Sequence, residues 1–217
     1  MASALAPQVA STKETTNFVR YVRLCRLLND VASQALRDVF DRINPPAGLH
    51  SVLAPGNPAH ITLQSLRKKR ILNSTQWKKL YPTIRTSVSS ASFDITLLTV
   101  LLKNICGLTP PVTGWDNLPS AADTTTEANI ARVTYYRNTV YGHAKQAFVD
   151  DVTFNAHWKD ISNALVTLGG VSYGALIDRA KHKPIDHGTE EDHRELGFQW
   201  KKDGHHIKKK LEDMEGI

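Results

Sequence analysis

Apolar residues recur at intervals of three and four at Phe18, Val22, Cys25, Leu28, Ala32, Leu36, Val39 and Ile43, which predicts one long amphipathic helix from about Thr16 to Ile43. Asn44-Pro45-Pro46-Ala47-Gly48 stops it, because proline cannot extend the hydrogen-bond ladder and disfavours helix in the residue before it. Two short helices are predicted at Thr62–Ile71 and Ser74–Tyr81. From Phe93 to Cys106 the chain is apolar almost all round, so this helix, with Ser92 as its natural cap, belongs in the centre of a bundle. Thr124-x-x-Glu127 reads as a capping box opening a helix whose buried stripe is Ile130, Val133, Val140 and Ala144. Asp151 is expected to cap the next helix, which shows Phe154, Trp158, Ile161, Leu165 and Leu168 at helical spacing until Gly169-Gly170 ends it. A short helix follows at Tyr173–Ala180. The expected fold is all-α, in three parts: a flexible N-terminus over 1–13, a helical bundle over 14–183, and a charged C-terminal helix over 184–217 packed on or extending from the bundle.

Composition narrows this picture. A 217-residue chain that is 41% hydrophobic can bury a real core. The formal charge of +6, from 27 Lys and Arg against 21 Asp and Glu, fits RNA, DNA or acidic partners without choosing among them. Cys25 and Cys106 lie in apolar runs without metal-type spacing, which argues against a disulfide framework or zinc finger and for a reducing, cytoplasmic setting. The longest apolar run, Ile95–Leu102, is far below the roughly 18 residues of a membrane span, and the N-terminus lacks the features of a signal peptide, so no membrane or export route is expected. His182, His187, His193, His205 and His206 lack a regular ligand pattern, and Gly169-Gly170 and Gly174 are not followed by Gly-Lys-Ser/Thr, so neither a metal nor a cofactor is expected.

Two stretches carry candidate chemistry. The basic cluster Arg67-Lys68-Lys69-Arg70, with Lys78-Lys79 nearby, is either a solvated helix surface or a track for an RNA backbone, and Trp77 beside it is either a stacking face or part of the core. The stretch Tyr135–Ala144 places Arg137, Asn138 and His143 on one helix. An arginine can grip a phosphate through paired hydrogen bonds, and a histidine both takes and gives a proton near neutral pH, a combination suited to phosphodiester chemistry. In an unbroken helix, however, Arg137 and His143 point about 120° apart and stand roughly 9 Å apart along the axis. They converge only if Gly142 loosens the helix end or if a second copy supplies its own pair across a two-fold axis. The bland alternative is a salt-bridge partner and a hydrogen-bonded histidine.

The run Arg137-Asn138-Thr139-Val140-Tyr141-Gly142-His143 matches the R-x(4–6)-H motif of the HEPN superfamily, with a polar residue after the arginine. The flanks Leu101–Leu108, Thr113-Gly114-Trp115-Asp116 and Ala128–Arg132 with Tyr135-Tyr136 resemble the HEPN branch represented in the DAZ-interacting RNA-binding ubiquitin ligase. The resemblance runs from about Asn17 through Asp160, more loosely to Trp200-Lys201-Lys202, and implies an all-α HEPN-like bundle that pairs two copies so that their motifs line one cleft. In such a homodimer, metal-independent endoribonuclease activity is implied, in a cytosolic defence or RNA-surveillance role. His143 would assist proton transfer as the ribose 2′-hydroxyl attacks or the 5′-oxygen departs, Arg137 would stabilise charge on the phosphate, and Asn138 would orient one of them. Gly142 departs from the alanine common at that position. The same resemblance allows a second role: an inactive module for RNA binding or dimerisation within a larger innate-immune or ubiquitin-ligase protein.

Overall fold

The computed structural model describes the backbone of residues 6–142 and 148–184, with side chains from residue 16 onward. The long first helix is present, and its backbone begins upstream of the periodic stretch: α1 (Ala6–Arg26) runs through a π-helical turn (Leu27–Ala32) into α2 (Ser33–Ile43). A π turn inserts an extra residue into the helical repeat, which re-aims the side chains that follow. It leaves Leu27, Leu28, Val31 and Ala32 buried, as are Ala35, Leu36, Val39 and Phe40 of α2. Asn44 leaves the helical conformation ahead of Pro45 and Pro46, as the sequence dictates.

A lobe of short helices follows: α3 (Leu49–Val52), α4 (Pro58–Lys68) and α5 (Ser74–Leu80). Asn73 caps α5 in a reciprocal box with Gln76. Three longer helices, α6 (Ile95–Ile105), α7 (Thr126–Gly142) and α8 (Asp151–Gly169), and the terminal α9 (Tyr173–His182) complete the described chain, in which no strand occurs. The fold is all-α. α7 packs on α8 and α1, α2 on α6 and α8, α9 on the π turn and α8, and α4 on α6. One hydrophobic core draws residues from every long helix. No helix among the described residues is long and apolar enough to cross a membrane.

α6 lies in the centre, as its sequence predicts: every residue from Ile95 to Leu102 is buried. α7 departs from expectation. Ile130, Val133 and Val140 are buried, but so are Asn129, Arg132, Thr134 and Arg137, so α7 is enclosed nearly all round. Its inner polar groups are satisfied within the bundle, as burial requires. Asn129 donates to the carbonyls of Thr124 and Thr125, Thr134 donates to that of Ile130, and Arg132 donates to Asn129 and to the carbonyls of Ser120 and Asp123.

Three expected caps move by one or two residues. Asp94, not Ser92, caps α6, accepting from the Leu97 amide at 2.9 Å, while Ser92 bonds back to the Ser89 carbonyl in a 3₁₀ turn. Thr125, not Thr124, accepts the Ala128 amide at the start of α7. Asp150 caps α8 and leaves Asp151 to pair with Arg20 at 2.8 Å. Asp94 and Asp150, each with extended backbone immediately before its helix, take the role, and composition alone does not reveal which residue that is. The Gly169-Gly170 stop is as expected and has two causes. Gly170 adopts φ +86°, and a Cβ on Gly169 would lie 2.1 Å from the Tyr173 ring.

Candidate functional site

Arg137 lies on the turn of α7 that faces α6, and its side chain is only 5% exposed. One guanidinium nitrogen donates to the Thr96 hydroxyl of α6 at 2.6 Å, and the other terminal nitrogen donates to the Asn138 side-chain oxygen at 3.1 Å. The Tyr141 ring, one turn on, lies 5.7 Å from the guanidinium carbon. The fork is therefore held rigidly. Asn138 itself is exposed at the protein surface, so the motif presents an accessible amide beside a recessed cation.

A second cation stands close by. Lys103 ends α6 on the same face as Thr96, two turns along, about 10 Å on the axis. Its ammonium reaches Asp116 at 3.2 Å and the Trp115 carbonyl at 3.5 Å, and its side chain is 16% exposed. Burial pushes the Lys103 pKa down; Asp116 opposes that shift, and the nearby positive charge of Arg137 adds to it. Lys103 is thus held against the exposed carboxylate of Asp116, within electrostatic reach of Arg137. Neither Lys103 nor Thr96 was singled out from the sequence. The available signal was a lysine closing an otherwise apolar central helix.

His143 lies outside the described residues, as does Ala144, so the convergence of Arg137 and His143 has no geometry here. The α7 helix is continuous as far as Gly142, which is not in the left-handed region. Nearby phenols serve the core. Tyr136 donates to Asp160 at 2.5 Å, and both that bond and burial raise its pKa, while the Tyr141 phenol is raised well above its ordinary value by burial.

The basic cluster lies elsewhere, at the outer end of α4, with Arg67, Lys68, Lys69 and Arg70 all exposed. Arg70 turns the chain with φ +57°. Trp77 is half-buried against the core, and its ring is already engaged: the Arg67 guanidinium sits 4.5 Å above it and the Tyr81 ring 4.3 Å away. Of its two sequence readings, the structure shows Trp77 packed against the core. Of the histidines set aside as metal ligands, His182 bonds within its own helix to Asp178. His187, His193, His205 and His206 lie outside the described residues, as does most of the predicted C-terminal helix. Among the described residues, no group of three or more His, Cys, Asp or Glu is placed to hold a metal.

A profile of DZIP3/hRUL138-like HEPN domains matches residues 46–193, a span that takes in the basic lobe, α6 and the whole Arg137 motif. The chain belongs to this HEPN family. Two relatives are each 27% identical to it over 167 residues: the E3 ubiquitin-protein ligase DZIP3 of Mus musculus and that of Homo sapiens. The alignment covers 76% of this chain but only 14% of either ligase, so in both relatives the HEPN domain is a small part of a larger protein. No solved structure matches the chain. Within the HEPN match, α6 and α7 bring Thr96, Lys103, Arg137 and Asn138 to one region, whereas Arg67–Arg70 form a separate surface.

Proposed function

We propose that this HEPN domain is a metal-independent endoribonuclease in which two copies combine their α7 motifs, and that it works in the cytoplasm in RNA surveillance or innate immunity. The observation that carries the reading is Arg137. Its guanidinium is fixed in advance by Thr96 and Asn138, with the positive charge of Lys103 nearby, so stabilising a phosphorane-like charge costs little reorganisation. His143, three residues beyond Val140 in sequence, moves the proton between the ribose 2′-hydroxyl, the 5′-oxygen and water. Use of the 2′-hydroxyl as nucleophile makes RNA the substrate and DNA inert. Arg67, Lys68, Lys69 and Arg70 hold the RNA backbone.

One observation favours a second reading, a module that binds RNA or dimerises within a larger protein of the ubiquitin-ligase kind but does not cut. With 5% exposure and internal acceptors on both terminal nitrogens, Arg137 performs the task of a buried structural arginine. Incubation of single-stranded RNA with the purified chain in excess chelator separates the two. The nuclease reading expects fragments ending in a 2′,3′-cyclic phosphate that disappear with His143→Ala, together with a dimer in sedimentation. Cleavage that persists in both His143→Ala and Arg137→Lys would sink it, and a dimer that yields no fragments would establish the second reading.

A further inference from the structure

From Asn44 to Phe93 the chain contains no Asp or Glu, although at its average frequency fifty residues would carry about five. The same stretch holds seven Lys or Arg, from Arg67 to Arg85, and two histidines. It folds into the α3–α5 lobe, so an entire surface of the molecule is cationic and lacks acidic groups of its own. Acids from neighbouring helices touch its edge: Asp94 at the start of α6 pairs with Lys79 at 3.1 Å, and Asp41 of α2 accepts from the Ser90 hydroxyl at 3.0 Å.

Within this lobe is a cleft of about 290 Å³ between α3, α4, α5 and the segment that follows α5. Leu53, Leu80 and Val88 are buried in its lining. The rings of His50, His60, Trp77 and Tyr81 contribute its walls, and exposed Arg85 is on its rim. The His60 Nδ1 and the Tyr81 hydroxyl are 2.8 Å apart, which fixes the tyrosine edge-on to the imidazole with ring centroids 5.1 Å apart. At the lower end of the ~300–1,000 Å³ range of ligand pockets, the cleft has room for one planar ring system.

We infer that this cleft receives a single unstacked base of the RNA, with the adjoining phosphates led by Arg85 and the Arg67–Arg70 ridge. The inference rests on the RNA reading of the preceding section. An apolar floor and aromatic walls offer stacking, the His60–Tyr81 pair and His50 offer hydrogen-bonding groups to a base edge, and the surrounding field attracts phosphate and repels no part of it. Bases in a duplex are stacked and paired, so the occupant is single-stranded. The cleft supplies what the α7 motif lacks, a place where base identity can be read.

The test is binding by fluorescence anisotropy, using the full 217-residue chain carrying His143→Ala so that the probe stays intact. A labelled RNA of about a dozen nucleotides is compared with an abasic phosphate spacer of the same length. The base-bearing probe should bind at least tenfold more tightly. Tyr81→Ala and His60→Ala should erase that preference while leaving the abasic probe's affinity unchanged, whereas the paired Lys68→Glu, Lys69→Glu variant should weaken both probes alike. Because Tyr81 and His60 are partly buried, a second readout avoids variants altogether: photo-crosslinking of 4-thiouridine RNA should label the 77–85 peptide. Equal affinity for the two probes, as an acidic-peptide site would give, or crosslinks confined to other peptides, would overturn the inference. Base preference in a chain that never cleaves RNA would uphold the cleft and defeat the nuclease reading. Cleavage without base preference would do the reverse.

Discussion

The α6–α7 pair and the α3–α5 lobe are both cationic, but they hold their charge in opposite ways. In the pair, Arg137 and Lys103 are drawn into the bundle and bonded to Thr96, Asn138, Asp116 and the Trp115 carbonyl. In the lobe, Arg67 to Arg70 stand at the surface, with Arg67 resting on Trp77. Water screens the second group and leaves it cheap to change, whereas the first is held in a poorly screened interior where each charge needs its partners. A loss of activity in the lobe therefore reports contact with a ligand. In α7, the same loss mixes chemistry with folding.

The largest effect that tests this contrast is Arg137→Ala. It empties a buried volume and strips the Thr96 hydroxyl of its guanidinium partner, at an expected cost of about 2–3 kcal/mol in urea unfolding, reduced somewhat by relief of the repulsion with Lys103. The paired Lys68→Glu, Lys69→Glu change should leave stability within about 0.5 kcal/mol while weakening RNA binding. Equal destabilisation by the two variants would erase the distinction between the regions.

The joint between the regions supplies a smaller effect. Cys106, at the end of α6, accepts a hydrogen bond from the Asn44 side-chain amide at 3.3 Å, tying the C-cap of α2 to the helix beneath the lobe. Burial pushes the Cys106 thiol up to about 11, with the Asn44 bond opposing, and the more deeply buried Cys25 up to about 12. Raised values favour the neutral thiol in the folded state. The resulting stability is fully present below pH 9 and is lost as the pH climbs from 9 through 11. At pH 8, about a hundredfold less thiolate than in an ordinary cysteine should slow disulfide-reagent labelling of Cys106 by a similar factor, with Cys25 slower still. Rapid labelling of Cys106 would mean that the lobe swings away from α6.

What could be read from the chain follows the same division. The helices and the central place of α6 come from hydrophobic spacing, which survives any detail of packing. The resemblance built on Arg137-Asn138 and its flanks found the family. The enclosure of α7 was hidden, because Asn129, Arg132 and Thr134 look like a polar face until the first two are seen to bond backbone carbonyls of the 120–125 loop and the third the Ile130 carbonyl of its own helix. The caps were misplaced for a related reason: Ser92, Thr124 and Asp151 have the right chemistry, but Thr125 accepts the amide at the start of α7, and extended backbone selects Asp94 and Asp150. Lys103 and the His60–Tyr81 cleft depend on contacts between distant segments, which no local pattern encodes.

Gly142 gives the smallest effect and the sharpest use of the contrast. Among the described residues, a Cβ there would meet nothing within 4 Å, and the backbone does not need glycine's left-handed freedom. Gly142→Ala should therefore stabilise the end of α7 by up to ~1 kcal/mol, seen as a rise of a few degrees in the thermal midpoint. If Arg137 and His143 meet across a two-fold axis with α7 unbroken, the stiffer helix should cleave RNA at least as fast as the parent. If His143 must swing back toward Arg137 of its own chain, the same substitution should slow cleavage while raising stability, the opposite signs showing that the helix end moves during turnover. Binding of RNA by the lobe should be unaffected in either case, because α7 packs chiefly on α8 and α1 rather than on α4 or α5.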